Sequence, residues 1–307
     1  MPRVHIGNGV NDAITWLLNH LPWLFSAISS AMSHLVNWLE TGLSYPPVFV
    51  MIAIFTVIAL LVRGWWFALL SCVGFLLIDS MRLWGDTMLT LAVVLVAAVI
   101  AAAVGIPLGI WAARRRSVSA VVRPILDFMQ TMPVFLYLIP AVFFFGVGVV
   151  PGVVATTIFA VPPAVRLTEL GIRQVDPEVV EAAHAFGATP GQVLRGVQLP
   201  LALPTIMAGI NQVIMLALSM VVVAGLTGAA GLGTDVVRAV TQLDISSGFE
   251  SGLAVVILAI FLDRVTSGLA QPRHARQRTP GRLALLPAWS RRRSATPPLA
   301  RAKTTTT

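Results

Sequence analysis

The chain has 307 residues, of which 57% are hydrophobic and only 11% charged, with a mean hydropathy of +0.85. A soluble domain carries roughly a quarter of its residues charged, so this composition excludes a soluble enzyme or binding module and describes a chain whose solvent is largely lipid. The net charge of +8 does not mark a nucleic-acid binder, because nine basic residues and no acids lie beyond residue 271, and the rest of the chain nets −1.

In chain order, residues 1–11 are polar and lack the compact apolar core and small-residue cleavage site of a signal peptide. Residues 14–39 mix aromatic and aliphatic side chains with Asn19, His20, Pro22, Ser26, His34 and Asn37. That pattern favours an amphipathic helix lying on the membrane face, with an eighth crossing as the alternative. The N-terminal region is accordingly drawn as 1–46, amphipathic and interfacial. Clean apolar runs follow at 47–62 and 65–78, two accessory spans within 47–83, and then at 87–113. The uncharged stretch 132–165 is too long for one helix and is divided by Gly146, Gly148, Pro151 and Gly152. Further runs occupy 204–226 and 252–262. Lipid offers no hydrogen-bond partners, so each run must close its own backbone as helix. The expectation is an all-α polytopic membrane protein with about seven transmembrane helices. The single cysteine, Cys72, sits inside an apolar run and excludes an intrachain disulfide. The tail 271–307, rich in Pro, Ser, Thr and Arg without periodicity, is expected to be a disordered basic segment beside anionic lipid.

Orientation follows from the basic residues. With the N-terminus outside and seven alternating spans, eighteen Lys and Arg fall inside and only Arg3, Arg82 and Arg238 outside. The C-terminus is then cytoplasmic, and Trp65, Trp66, Trp84 and Trp111 lie near span ends as an aromatic belt.

The longest cytoplasmic segment, 166–203, has capped helices written into it. Asp176-Pro177-Glu178 combines an N-cap acceptor, proline at the first helical position and an acid in the first turn. The helix runs from 177 to 186 and stops at Gly187. Thr189-Pro190 starts a second short helix ending near Gly196, and Leu199-Pro200 leads into a span beginning about Pro204. Val179, Ala182, Ala183 and Phe186 share one face, leaving Glu178, Glu181 and His184 for polar contacts.

Glu181-Ala182-Ala183, then Gly187 after three residues, then Val197-Gln198-Leu199-Pro200 after nine more, resembles the EAA loop of binding-protein-dependent ABC importer permeases. The stretches 162–168, 198–212, 216–222 and 257–264 resemble the glycine betaine/proline subgroup, and the likeness covers about 84–270. The resemblance implies a type I ABC importer permease core over 84–270 with its EAA loop at 166–203. It also implies a second permease copy in a homodimer, two ATPase subunits in the cytoplasm and an extracytoplasmic substrate-binding protein. Glu181, Ala182, Ala183, Gly187, Leu199 and Pro200 would then form the coupling element against the ATPase. ATP and Mg²⁺ would be bound by that partner. The implied solute is a quaternary-ammonium osmolyte, such as glycine betaine, proline betaine or proline, with choline and carnitine as further candidates, and any aromatic cage for it belongs to the binding protein.

The residues agree with a non-catalytic subunit. A P-loop needs a lysine in GK[ST], and the one lysine is Lys303 in the tail. No metal-ligand spacing or nucleophile–base pattern is present, so no cofactor is expected on this chain. Gln130, Tyr137, Asn211 and Gln212 are polar residues at or within spans, where lining a translocation path and bonding helix to helix explain them equally well. The rival reading is an ion-coupled secondary transporter, which calls for inverted repeats and intramembrane ionisable residues. Seven spans do not halve, and Asp79, Asp86 and Asp263 fall at span ends.

Overall fold

The computed structural model describes residues 6–270, so the basic tail and its expected disorder lie outside the described residues. Every described segment of regular structure is helical. All seven apolar runs become helices, but they differ in reach. Four segments are long and apolar enough to cross a membrane unaided. These are α5 (Trp84–Arg114), α8 (Val149–Arg173), the stretch containing α11 (Leu199–Ala224), and α13 (Ile245–Ala270). Helices α3 (Val48–Arg63) and α4 (Trp65–Ser80) have 16 residues each, about 24 Å of rise against a hydrocarbon core of about 30 Å. Helix α7 (Phe135–Phe145) has 11. Two of the short helices belong to bent pairs. Helix α2 (Pro22–Ser44) meets α3 at 98°, and α6 (Arg116–Thr131) meets α7 at 94°. The runs 47–62 and 132–145 are therefore each one arm of a bent helix pair rather than a straight crossing.

The N-terminal region folds as α1 (Ile6–His20) and α2. Helix α2 starts beside the end of α7, where Phe25 stacks on Phe144 with ring centroids 4.5 Å apart. It then reaches the middle of α5, where Leu35, Trp38 and Leu39 lie beside Leu95, Val96 and Val99. Val36 on the same helix is fully buried.

Helix α5 is the axis of the core. Met88, Ala92, Val94, Ala97 and Ala101 along it have no exposed surface. It packs in parallel with α8 through small residues: a Cβ on Gly105 would lie 2.4 Å from that of Ala164, and one on Gly109 would lie 2.6 Å from that of Thr168. Without competition from hydrophobic collapse in lipid, such close approach is what holds helices together. Helix α11 runs antiparallel to α8, with Gly171 against Ala202 and Thr205, and Gly209 against Leu167 and Pro163. The α3–α4 hairpin is fastened to α13 by Phe55, Phe75 and Phe261, whose centroids lie 4.8 to 5.3 Å apart.

Between α11 and α13, a glycine-rich turn leads into the amphipathic α12 (Leu232–Gln242). The Leu232 N–H donates to Thr90 Oγ1 at 3.0 Å, tying this segment to the start of α5. Burial, reinforced by the neighbouring Asp86, pushes the Asp235 carboxyl above its ordinary range, with Arg238 opposing.

Candidate functional site

The loop after α8 is built as its sequence reads at the first helix. Asp176 Oδ1 accepts from the Glu178 N–H at 2.9 Å and caps α9 (Pro177–Ala185). At the other end, the Gly187 N–H donates to the His184 carbonyl at 2.9 Å, and the Ala188 N–H donates to the Ala183 carbonyl at 3.1 Å. This paired closure requires a left-handed residue, and Gly187 supplies it with φ +79°. Glu181 and Ala182 are exposed, Ala183 is half-buried, and no residue of α9 is buried by the rest of the chain. Phe186 is 94% exposed and Val179 43%. The apolar face of α9 is therefore left largely open at Val179, Ala182 and Phe186, with Ala183 half-covered.

The second half of the loop departs from expectation. A short helix was expected to end near Gly196, with Leu199-Pro200 setting an angle into a span starting at Pro204. Instead α10 (Pro190–Val193) continues through a π-helical stretch, Leu194–Gln198, directly into α11, and Pro190–Thr227 is one apolar segment of 38 residues. The reason is local. Pro200 has no N–H for the normal i→i−4 bond, and the chain widens so that the Leu199 N–H reaches back five residues to Leu194 O. Leu199 is half-buried against Ile172, Leu194, Ala202 and Ile206, while Pro200 is exposed. Beside this stretch opens a cavity of about 740 Å³ lined in part by Arg114, Gln192 and Arg195.

The four polar residues of the spans do not converge. Asn211 Nδ2 donates to Asp263 Oδ1 at 2.9 Å, and its Oδ1 accepts from Thr266 Oγ1, which fastens α11 to α13. The Tyr137 hydroxyl donates to the Met129 carbonyl, and its ring lies among Leu138, Ala141, Ala155 and Met220. Gln130 and Gln212 are exposed. Gln212 belongs to a stripe on α11 with Ala208, Met215 and Ser219, at helical spacing and open along its length.

Two features escaped the sequence reading. Phe186 was legible only as part of an apolar face, although its exposure makes it the most prominent side chain of the loop. The other is Glu169, 3% exposed near the end of α8. Its Oε1 accepts from Ser119 Oγ at 2.7 Å and Arg123 at 2.9 Å, and it pairs with Arg173 at 3.0 Å. Only the i,i+4 spacing of Glu169 and Arg173 was visible beforehand. No group of three or more metal-ligating side chains occurs among the described residues.

Residues 105–272 match the family model described as binding-protein-dependent transport system inner membrane component. The chain is 47% identical over 281 residues to the glycine betaine transport system permease protein OpuAB of Bacillus subtilis, covering 90% of this chain and 98% of the relative. It is 49% identical over 263 residues to the glycine betaine/carnitine transport permease protein GbuB of Listeria monocytogenes, covering 85% and 86%. Among solved structures it is similar to an inward-facing MetNI methionine ABC transporter, with a TM-score of 0.53 and 24% identity over 59% of this chain and 91% of the other. That likeness concerns the fold, an all-helical type I ABC importer permease. Four long apolar helices among the described residues, the family match over residues 105–272 and these relatives lead to one assignment: the chain belongs to the family of binding-protein-dependent transport system inner membrane components.

Proposed function

We propose that the chain is the permease subunit of an ATP-driven importer for a quaternary-ammonium osmolyte of the glycine betaine class. The solute class rests on the permeases it is similar to, which are named for glycine betaine and carnitine. The coupling role rests on one observation. Helix α9 is capped at both ends, yet leaves Val179, Ala182 and Phe186 exposed. A short helix of this kind passes on a rigid-body displacement that a slack loop would absorb.

In this reading Glu181, Ala182, Ala183 and Gly187, with Phe186, dock on an ATPase subunit, and Leu199 and Pro200 carry the motion into α11. Two ATPase copies hold ATP and Mg²⁺, a binding protein delivers solute at the outer face, and a second permease copy completes the path. The N-terminus lies outside and the C-terminus in the cytoplasm, as the basic residues imply. Residues 84–270 are the permease core, with 47–83 accessory. The open stripe through Gln212 on α11 lines the path, because an exposed amide facing lipid is costly. Asn211, one residue before Gln212, is turned instead to Asp263 and Thr266 and holds α13 behind the stripe.

The test is purification from the membrane followed by reconstitution. A stoichiometric ATPase partner and vanadate-sensitive glycine betaine uptake are expected. Uptake driven by an ion gradient through this chain alone would refute the proposal.

A further inference from the structure

A carboxylate withdrawn from water inside an apolar helix is costly unless it is paired and hydrogen-bonded, and its partners mark what it is for. Glu169 links α8 to α6 directly, and to the end of α5 through Arg173. Ser119 and Arg123 reach it from α6, and Arg173 reaches it from the last turn of α8. Arg173 also donates to the Ala112 carbonyl at 2.9 Å, satisfying one of the free carbonyls at the end of α5. The Asp127–Arg166 pair between α6 and α8 is more open to solvent, so the buried carboxylate is the stronger tie between those helices. Three residues after Arg173 stands Asp176, the cap of α9, and Val175 between them is buried. Beyond α6 the chain turns by 94° into α7.

We infer that Glu169 is a positioning residue that makes α6, and through it α7, move together with the coupling helix α9. This rests on the coupling reading above and adds the route by which displacement of α9 reaches the bent α6–α7 pair. Charge-assisted bonds from two arginines and a hydroxyl to one oxygen leave little freedom for sliding. Without Glu169, the polar tie left between α6 and α8 is the more exposed Asp127–Arg166 pair, a weaker constraint.

The test uses the full complex with ATPase and binding protein in proteoliposomes, comparing the unaltered chain with Glu169→Gln and with the double variant Ser119→Ala, Arg123→Met. The double variant removes both α6 partners while Glu169 stays paired with Arg173 on its own helix, and so reads the α6 tie even where the first fails to accumulate. Spin labels at Val121→Cys on α6 and Ala185→Cys on α9, with Cys72→Ser, report their separation directly. The expected result is a widened distance distribution and a drop of about fivefold or more in solute moved per ATP, with ATP hydrolysis retained. An unchanged distribution with unchanged transport per ATP in the double variant overturns the inference. Widening in a chain that shows no ATP-driven uptake supports the tie and refutes the importer reading instead.

Discussion

Replacement of Gly187 by valine isolates the backbone geometry of the coupling turn from everything else in the molecule. A Cβ at this position would meet nothing within 4 Å, so no packing is disturbed. The cost is the left-handed conformation itself, φ +79°, about 1–2 kcal/mol for a residue with a Cβ. That changes the ratio of the capped turn to its alternatives by a factor of about 5–30. Because α9 contributes no buried residue, the melting temperature of the permease should stay within about 2 °C of the unaltered protein. ATP hydrolysis and glycine betaine uptake are measured in parallel in proteoliposomes. Gly187→Val is expected to hydrolyse ATP while transporting several-fold less solute per ATP. Gly187→Asn, which tolerates the left-handed region, should recover most of the loss. Normal uptake by the valine variant would refute the reasoning, and so would equal losses in both variants, which would point to side-chain bulk.

Three further substitutions have outcomes set by the same structure. Phe186→Ala should leave folding unchanged, since the ring is 94% exposed, yet weaken ATPase binding about tenfold as loss of an aromatic anchor; undiminished co-purification would contradict the docking role. Gly109→Val should lower the melting temperature in detergent through overpacking of about 1–3 kcal/mol, because even its Cβ would lie 2.6 Å from the Val165 carbonyl oxygen; Gly196→Ala, with open space around it, is the control that should not. Asp235→Asn concerns pH. Burial and Asp86 raise the folded-state carboxyl above its usual value, so ionisation costs stability as pH rises past the unfolded value of about 3.9. The asparagine variant should melt higher at neutral pH, with the advantage fading as pH falls below about 4, and a constant advantage at every pH would show the shift to be irrelevant.

The parts of this molecule that were legible in its sequence are those set by neighbours along the chain. Apolar runs locate the helices because lipid leaves the backbone no alternative. Asp176-Pro177 and Gly187 mark the ends of α9 because caps act over three or four residues. Features that depend on distant partners were not legible. Ser119 and Glu169 are fifty residues apart, and nothing in either stretch announces the other. The placement of α2 against the middle of α5 likewise depends on surface complementarity across the fold. Pro200 misled for a different reason. Proline ordinarily argues for a break, but a preceding π stretch gave the chain another way to satisfy its carbonyls. Among the candidate path residues, Asn211 and Gln212 look equivalent in sequence. Only their positions around α11 separate a residue bonded to Asp263 and Thr266 from one left open.

The uninterrupted stretch Pro190–Thr227 has a mechanical consequence. Its 38 residues make a rod of about 57 Å. Near its midpoint Gly209 presses on α8, where a Cβ would already lie 3.0 Å from that of Leu167. Where the stretch moves as one body, that crossing acts as the fulcrum of a see-saw. A tilt of about 5° moves each end by about 2.5 Å, in opposite directions. Widening at one membrane face and narrowing at the other then need no separate gates. Distance labels at the two ends should change with opposite sign during ATP turnover, and a change of the same sign at both would rule out the pivot.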